Sequence, residues 1–106
     1  ALLSEIVEEL NSLFEGELTD GDMITYAEGL RDKVLEDPEV AIQARNNASL
    51  DQFANGKIRK AVPDAILAMR SVNESMTNQV MGDDERLKQV TSLITRMVYE
   101  WFREVG

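Results

Sequence analysis

The chain has no cysteine and no histidine in its 106 residues. Without cysteine neither a disulfide nor a thiolate metal site can form, a composition that fits a cytosolic protein. Without histidine it lacks the commonest general base, the commonest zinc ligand and any imidazole pH switch. No apolar run approaches the roughly 20 residues that span a bilayer. The opening Ala1-Leu2-Leu3-Ser4-Glu5 lacks the basic start of a secretory signal. The missing initial methionine leads to the expectation of a piece of a longer chain. The length predicts a single domain over residues 1–106, large enough for a core but too small for a motor or a nuclease with its DNA channel.

Charge is plentiful but lopsided. The chain carries 20 acidic and 11 basic residues, a net charge of −9. Residues 1–39 hold 12 acids against Arg31 and Lys33, whereas residues 40–106 hold 8 acids and 9 bases. Such a chain is repelled by phosphate backbones overall, so direct DNA binding is not expected. An acidic half beside a near-neutral half suits a module that docks onto a protein partner, or one whose charge serves solubility alone.

Apolar periodicity predicts an all-α bundle of five to six helices. Leu3, Ile6, Val7, Leu10, Leu13 and Phe14 form one face of a first helix, with Gly16 placed as its C-terminal cap. Thr19 reads as the N-cap of a second helix reaching about Glu36, with Leu18 and Met23 spaced for a hydrophobic staple. Its Gly29 marks either a close backbone approach or merely weakened propensity. Asp37 caps a third helix with Pro38 at its first position and an apolar set of Val40, Ile42, Ala44 and Ala48. Ser49 and Gln52 read as a capping box that restarts the chain with Leu50 and Phe53 inward.

Gly56 then interrupts, and Pro63 restarts or kinks a long helix to Met81 with Ile66, Leu67, Met69, Val72, Met76 and Val80 on its buried face. Gly82 ends it. Asp83 or Asp84 caps the last helix, whose apolar face runs from Leu87 to Trp101, Phe102 and Val105. Its two large aromatics are expected to bury against the second and fifth helices; if exposed, they would be a partner surface.

Motifs of chemistry fail on spacing. Asp20-Gly21-Asp22 lacks the terminal glutamate of a calcium loop. Pro63-Asp64 is not followed by an acidic-x-Lys element, and Gly56-Lys57-Ile58 lacks the first glycine and the hydroxyl of a phosphate loop. No catalytic, cofactor or metal residue is assigned. Lys57, Arg59 and Lys60 form the basic cluster of the chain, interleaved with Ile58, Ala61 and Val62. With Phe53 its one nearby aromatic, it makes a poor nucleic-acid site and a natural solvated helix face. Arg70, Asn73, Met76 and Gln79 mark the polar, methionine-bearing end of the fifth helix. These seven residues are the candidate partner contacts.

The run Asn46-Asn47-x-Ser49-x-x-Gln52-Phe53, preceded by Leu18-Thr19-Asp20-Gly21-Asp22-Met23-Ile24-Thr25-Tyr26-Ala27, resembles the C-terminal helical region of the R subunit of type I restriction enzymes. The similarity extends from about Leu18 through Val80, and its matching residues are capping and packing residues rather than catalytic ones. It implies a bacterial, cytoplasmic parent, an ATP-dependent translocase and endonuclease whose motor domains lie upstream. ATP and Mg2+ are then needs of the parent, with no cofactor in this stretch. The implied partners are the methyltransferase and specificity subunits, to which this region would help attach the motor. The alternative is an independent acidic helical adaptor that covers a basic protein surface.

Overall fold

The computed structural model describes residues 2–14 and 18–105, with side chains over 4–14 and 18–104. The described residues form seven α-helices: α1 Leu2–Leu13, α2 Asp20–Leu35, α3 Pro38–Asn46, α4 Leu50–Ala54, α5 Ile58–Ala68, α6 Glu74–Met81 and α7 Asp84–Val105. A single 3-10 turn, Met69–Ser71, joins α5 to α6, and no strand occurs among the described residues. The all-α class is as expected, with more helices than five or six. The cap expected at Gly16 and the packing roles of Leu3 and Val105 lie outside the described residues.

Helix α7 is the axis of the bundle. Its 22 residues extend roughly 33 Å at 1.5 Å per residue, against a longest molecular dimension of 39 Å. All six other helices pack against it. Val90, Ile94, Met97 and Val98 are buried, with Leu87, Leu93, Tyr99 and Phe102 partly buried beside them. Each fully buried side chain of this size contributes about 1.5–3 kcal/mol from leaving water. Ile6 and Leu10 of α1, Met23, Tyr26 and Leu30 of α2, and Ile58, Val62 and Ile66 of α5 complete the core.

Local capping chemistry sets where the helices start. Thr19 accepts from the Asp22 amide at 3.1 Å while the Asp22 carboxylate accepts from the Thr19 amide at 3.0 Å, a reciprocal box that satisfies two orphan donors. Asp37 accepts from the Glu39 amide with Pro38 at the first helical position. Ser49 accepts from the Gln52 amide at 3.2 Å, but Gln52 Oε1 reaches past the cap to the Ala48 amide at 3.0 Å, so the expected box is displaced by one residue. Asp83 accepts from the Glu85 and Arg86 amides at the start of α7.

Two expectations are corrected. The long helix over Pro63–Met81 does not exist, because Pro63 lies inside α5 and the chain breaks after Ala68. Proline there lacks the N–H that would bond the Arg59 carbonyl, and α5 tolerates one missing bond within a packed helix. The break follows from Asn73, whose Oδ1 accepts from the Met76 amide at 3.0 Å and starts α6 afresh. Leu67 and Val72, expected on a buried face, are 44% and 56% exposed, since the break rotates them away from α2 and α7. Ile42 is likewise turned outward from α3, at 54%.

Gly29 marks a close approach. A Cβ there would lie 2.3 Å from Met69 Cε and 2.8 Å from its sulfur, so the missing side chain lets the buried Met69 lie on α2.

Candidate functional site

The seven candidate contacts do not form one surface. Lys57, at the N-cap of α5, is turned toward α3: its Nζ lies 3.4 Å from Asp37 Oδ2 and 3.2 Å from Glu39 Oε2. Its amide donates to Gln43 Oε1 at 2.9 Å, which supplies from α3 the cap that α5 lacks locally. A Cβ on Gly56 would lie 2.2 Å from that same oxygen, so glycine is what lets Gln43 reach in. The hydrogen bond to Glu39, then the charges of Asp37 and Glu39, raise the Lys57 ammonium above its ordinary value. Lys57 fastens the elbow between α3 and α5.

Asn73 is the α6 cap and Met76 is fully buried, which corrects its assignment as an exposed, adaptable contact. Its place on the inner face of α6 follows from the new register that Asn73 sets. Gln79 is half-buried and accepts from Arg86 Nη1 at 3.4 Å. Arg70, Lys60 and Arg59 are exposed. Only Arg59 of these lines a groove.

That groove, about 670 Å³, lies between α4, α5 and α7. Its lining joins Leu50, Ala54, Pro63 and Leu87 with Arg59, Lys88 and Asp51. A second groove of about 610 Å³ lies between α1, α4 and α7 and shares Leu50, Lys88 and Ser92 with the first. The two are therefore neighbours along the first half of α7, from Glu85 to Arg96. Arg96 crosses to Glu9 of α1 at 2.6 Å, closing the far side. Thr91, Ser92 and Thr95 leave room where larger residues would fill it, and Thr95 turns its hydroxyl to the Thr91 carbonyl at 2.7 Å. This interruption of bulk within an otherwise apolar helix is the one signal in the sequence that could have pointed to Lys88 and its neighbours.

The C-terminal end of α7 is covered differently. Trp101 and Phe102 are half-buried and meet edge to face at 5.1 Å between ring centroids. Arg31 of α2 lies over Trp101 at 5.6 Å and Arg45 of α3 over Phe102 at 5.7 Å. The aromatic end thus packs on α2, as expected, and on α3 rather than on the helix after Pro63. Tyr99 stacks on Phe53 at 5.6 Å and donates to the Ala48 carbonyl at 3.2 Å. Arg103 lies over Tyr99 and donates to the Asn47 carbonyl. The α3–α4 elbow is therefore clamped directly onto α7.

Among the described residues, no group of three or more acidic, histidine or cysteine side chains is placed to hold a metal ion. Nor is any described helix long and apolar enough to cross a membrane. On the acidic side, Ser4, Val7, Glu8, Asn11, Asp20 and the partly exposed Ile24 line a smaller groove between α1 and α2, about 330 Å³. No family model, curated protein or solved structure matches the chain.

Proposed function

We propose that this chain is a non-catalytic assembly domain of the R subunit of a bacterial type I restriction enzyme. It would attach the ATP-dependent translocase and endonuclease to the methyltransferase core. The reading rests on the elbow: the residues that carry the resemblance are the ones that fasten this fold. Ser49 caps α4, Gln52 reaches back to the Ala48 amide, Phe53 is buried against Tyr99, and the Asn47 carbonyl takes Arg103. A family pattern made of capping and packing residues gains weight when those residues hold the α3–α4 connection to the central helix.

Docking is the task that suits the surface. Open grooves of mixed apolar and charged lining flank α7, a form suited to seating a partner's helix rather than enclosing a small substrate. ATP, Mg2+ and the chemistry they support are assigned to the upstream motor domains of the parent, and DNA contact to other parts of the complex.

Co-elution of this domain with the matching methyltransferase–specificity core on a sizing column tests the proposal. A stable complex is expected, and its persistence at high salt would show that packing, more than charge, holds the two together. Failure of a folded domain to associate at any salt concentration would overturn it.

The α1–α2 groove favours a second reading, an adaptor that presents Glu8, Asp20 and the exposed edge of Ile24 to a basic protein surface. Its association would weaken steeply with salt and would need no restriction subunit.

A further inference from the structure

We infer that the joined grooves beside the first half of α7 seat an acidic amphipathic helix of the methyltransferase–specificity core. The inference rests on the assembly reading above and names the face and the partner chemistry.

Charge at the groove runs against the charge of the chain. The whole chain is −9, yet the α4–α5–α7 groove is lined by Arg59 and Lys88 against the single carboxylate of Asp51. Both cations are exposed, and among the described residues neither forms an ion pair. Several other bases are already taken: Arg31 by Asp32, Lys33 by Glu36, Lys57 by Asp37 and Glu39, and Arg96 by Glu9. The two groove cations stand on different helices, Arg59 on α5 and Lys88 on α7, with the apolar side chains of Leu50, Pro63 and Leu87 in the same lining. That combination suits a ligand with apolar anchors on one face and carboxylates along its edges.

Length points to a helix. The two grooves together follow α7 from Glu85 to Arg96, roughly 16 Å at 1.5 Å per residue, or about three helical turns. Three turns carry anchors at i, i+3, i+4 and i+7, the pattern by which amphipathic helices enter grooves. Thr91, Ser92 and Thr95 keep the α7 side shallow enough for a backbone to approach. At physiological salt the acidic charges of α1 and α2 act over only about 8 Å, so local pairs with Arg59 and Lys88 decide which charge is accepted.

The test is an affinity titration of the methyltransferase–specificity core with three versions of this domain besides the unaltered one. R59E/K88E reverses the groove cations. K60E/R70E makes the same change in net charge at exposed residues that line neither groove. R59Q/K88Q serves as a milder pair, and circular dichroism confirms folding of each. The expected result is binding by the unaltered domain, an affinity loss of about tenfold or more for R59E/K88E with a smaller loss for R59Q/K88Q, and near-unchanged affinity for K60E/R70E. Equal loss in both reversed variants would show a general charge effect and overturn the groove assignment. Tighter binding by R59E/K88E would identify a basic occupant and overturn it too. Binding that no variant alters would leave the assembly reading standing and remove the groove. No binding by the unaltered domain would remove both.

Discussion

The phenol oxygen of Tyr26 lies 2.9 Å from Thr77 Oγ1, joining α2 to α6 across 51 residues of sequence. Both residues are fully buried, so each hydroxyl depends on the other for its hydrogen bond. Tyr26→Phe leaves the Thr77 hydroxyl in the core without that partner, at an expected cost of about 1–3 kcal/mol. Adding Thr77→Val to Tyr26→Phe is expected to recover part of the loss, because an apolar pair has no unmet hydrogen bond. Urea unfolding of the two single variants and the double variant measures the coupling; strictly additive losses would contradict it.

The same burial makes the bundle sensitive to alkali. Desolvation raises the Tyr26 phenol above its ordinary value of 10.0, opposed by the Thr77 hydrogen bond. The folded state therefore holds that proton to a higher pH than the unfolded chain does. This contribution is complete below the unfolded value of 10.0 and declines as pH rises through the folded value. The urea midpoint of the native chain is expected to fall above that pH, and Tyr26→Phe to fall less. Parallel curves for the two proteins would contradict the assignment.

Gly29 offers a test of sign. At an unobstructed helix position, glycine to alanine gains up to about 1 kcal/mol from propensity. Here the new methyl would meet Met69 Cε at 2.3 Å. Met69 is buried and must find another place for its end, so Gly29→Ala is expected to lose about 1–2 kcal/mol net. Thermal unfolding reads this directly: a raised midpoint would mean that Met69 moves aside without cost.

Much of the fold is legible in the sequence wherever its cause is local. Thr19, Asp37, Ser49 and Asp83 announce helix starts because an N-cap is satisfied by an amide two or three residues on. The break at Met69–Asn73 is hidden because Pro63 offers a plausible but false helix start, while the true start rests on Asn73 in a polar run. Gln43 capping the Lys57 amide from 14 residues away leaves no local signature, nor do the arginines of α2 and α3 lying over Trp101 and Phe102. The site is harder still to read. Exposure of the basic cluster follows from its apolar interleaving, but which cation stands in a groove depends on how α4, α5 and α7 meet. Arg59 is legible as a candidate contact from sequence; Lys88, isolated on α7, is not.

Asn73 separates a structural role from a contact role. Its loss should act through the α6 cap, so Asn73→Ala is expected to cost about 1 kcal/mol of stability, whereas Arg70→Glu at an exposed position should stay within about 0.5 kcal/mol. Chemical denaturation of both variants is the check, and an unchanged midpoint for Asn73→Ala would contradict the cap.

Lys57 is expected to reveal itself through salt. With its ammonium held by Asp37 and Glu39 at the surface, Lys57→Met should lower the thermal midpoint at low ionic strength, and the difference should shrink as salt screens the pairs. The difference should also close as pH rises past 10.5 and through the raised folded value, where the folded state loses the proton it favours. A difference independent of both salt and pH would assign the effect of Lys57 to its aliphatic stem instead.

Hydrogen–deuterium exchange of the domain, alone and mixed with the matching methyltransferase–specificity core, tests the central claim most directly. The account predicts slowed exchange on complex formation in α4, the first turns of α5 and the first half of α7, with the outer face of α1 and α2 unchanged. Unaltered exchange throughout the described helices, under conditions where the intact restriction complex assembles, would contradict an assembly role for this domain.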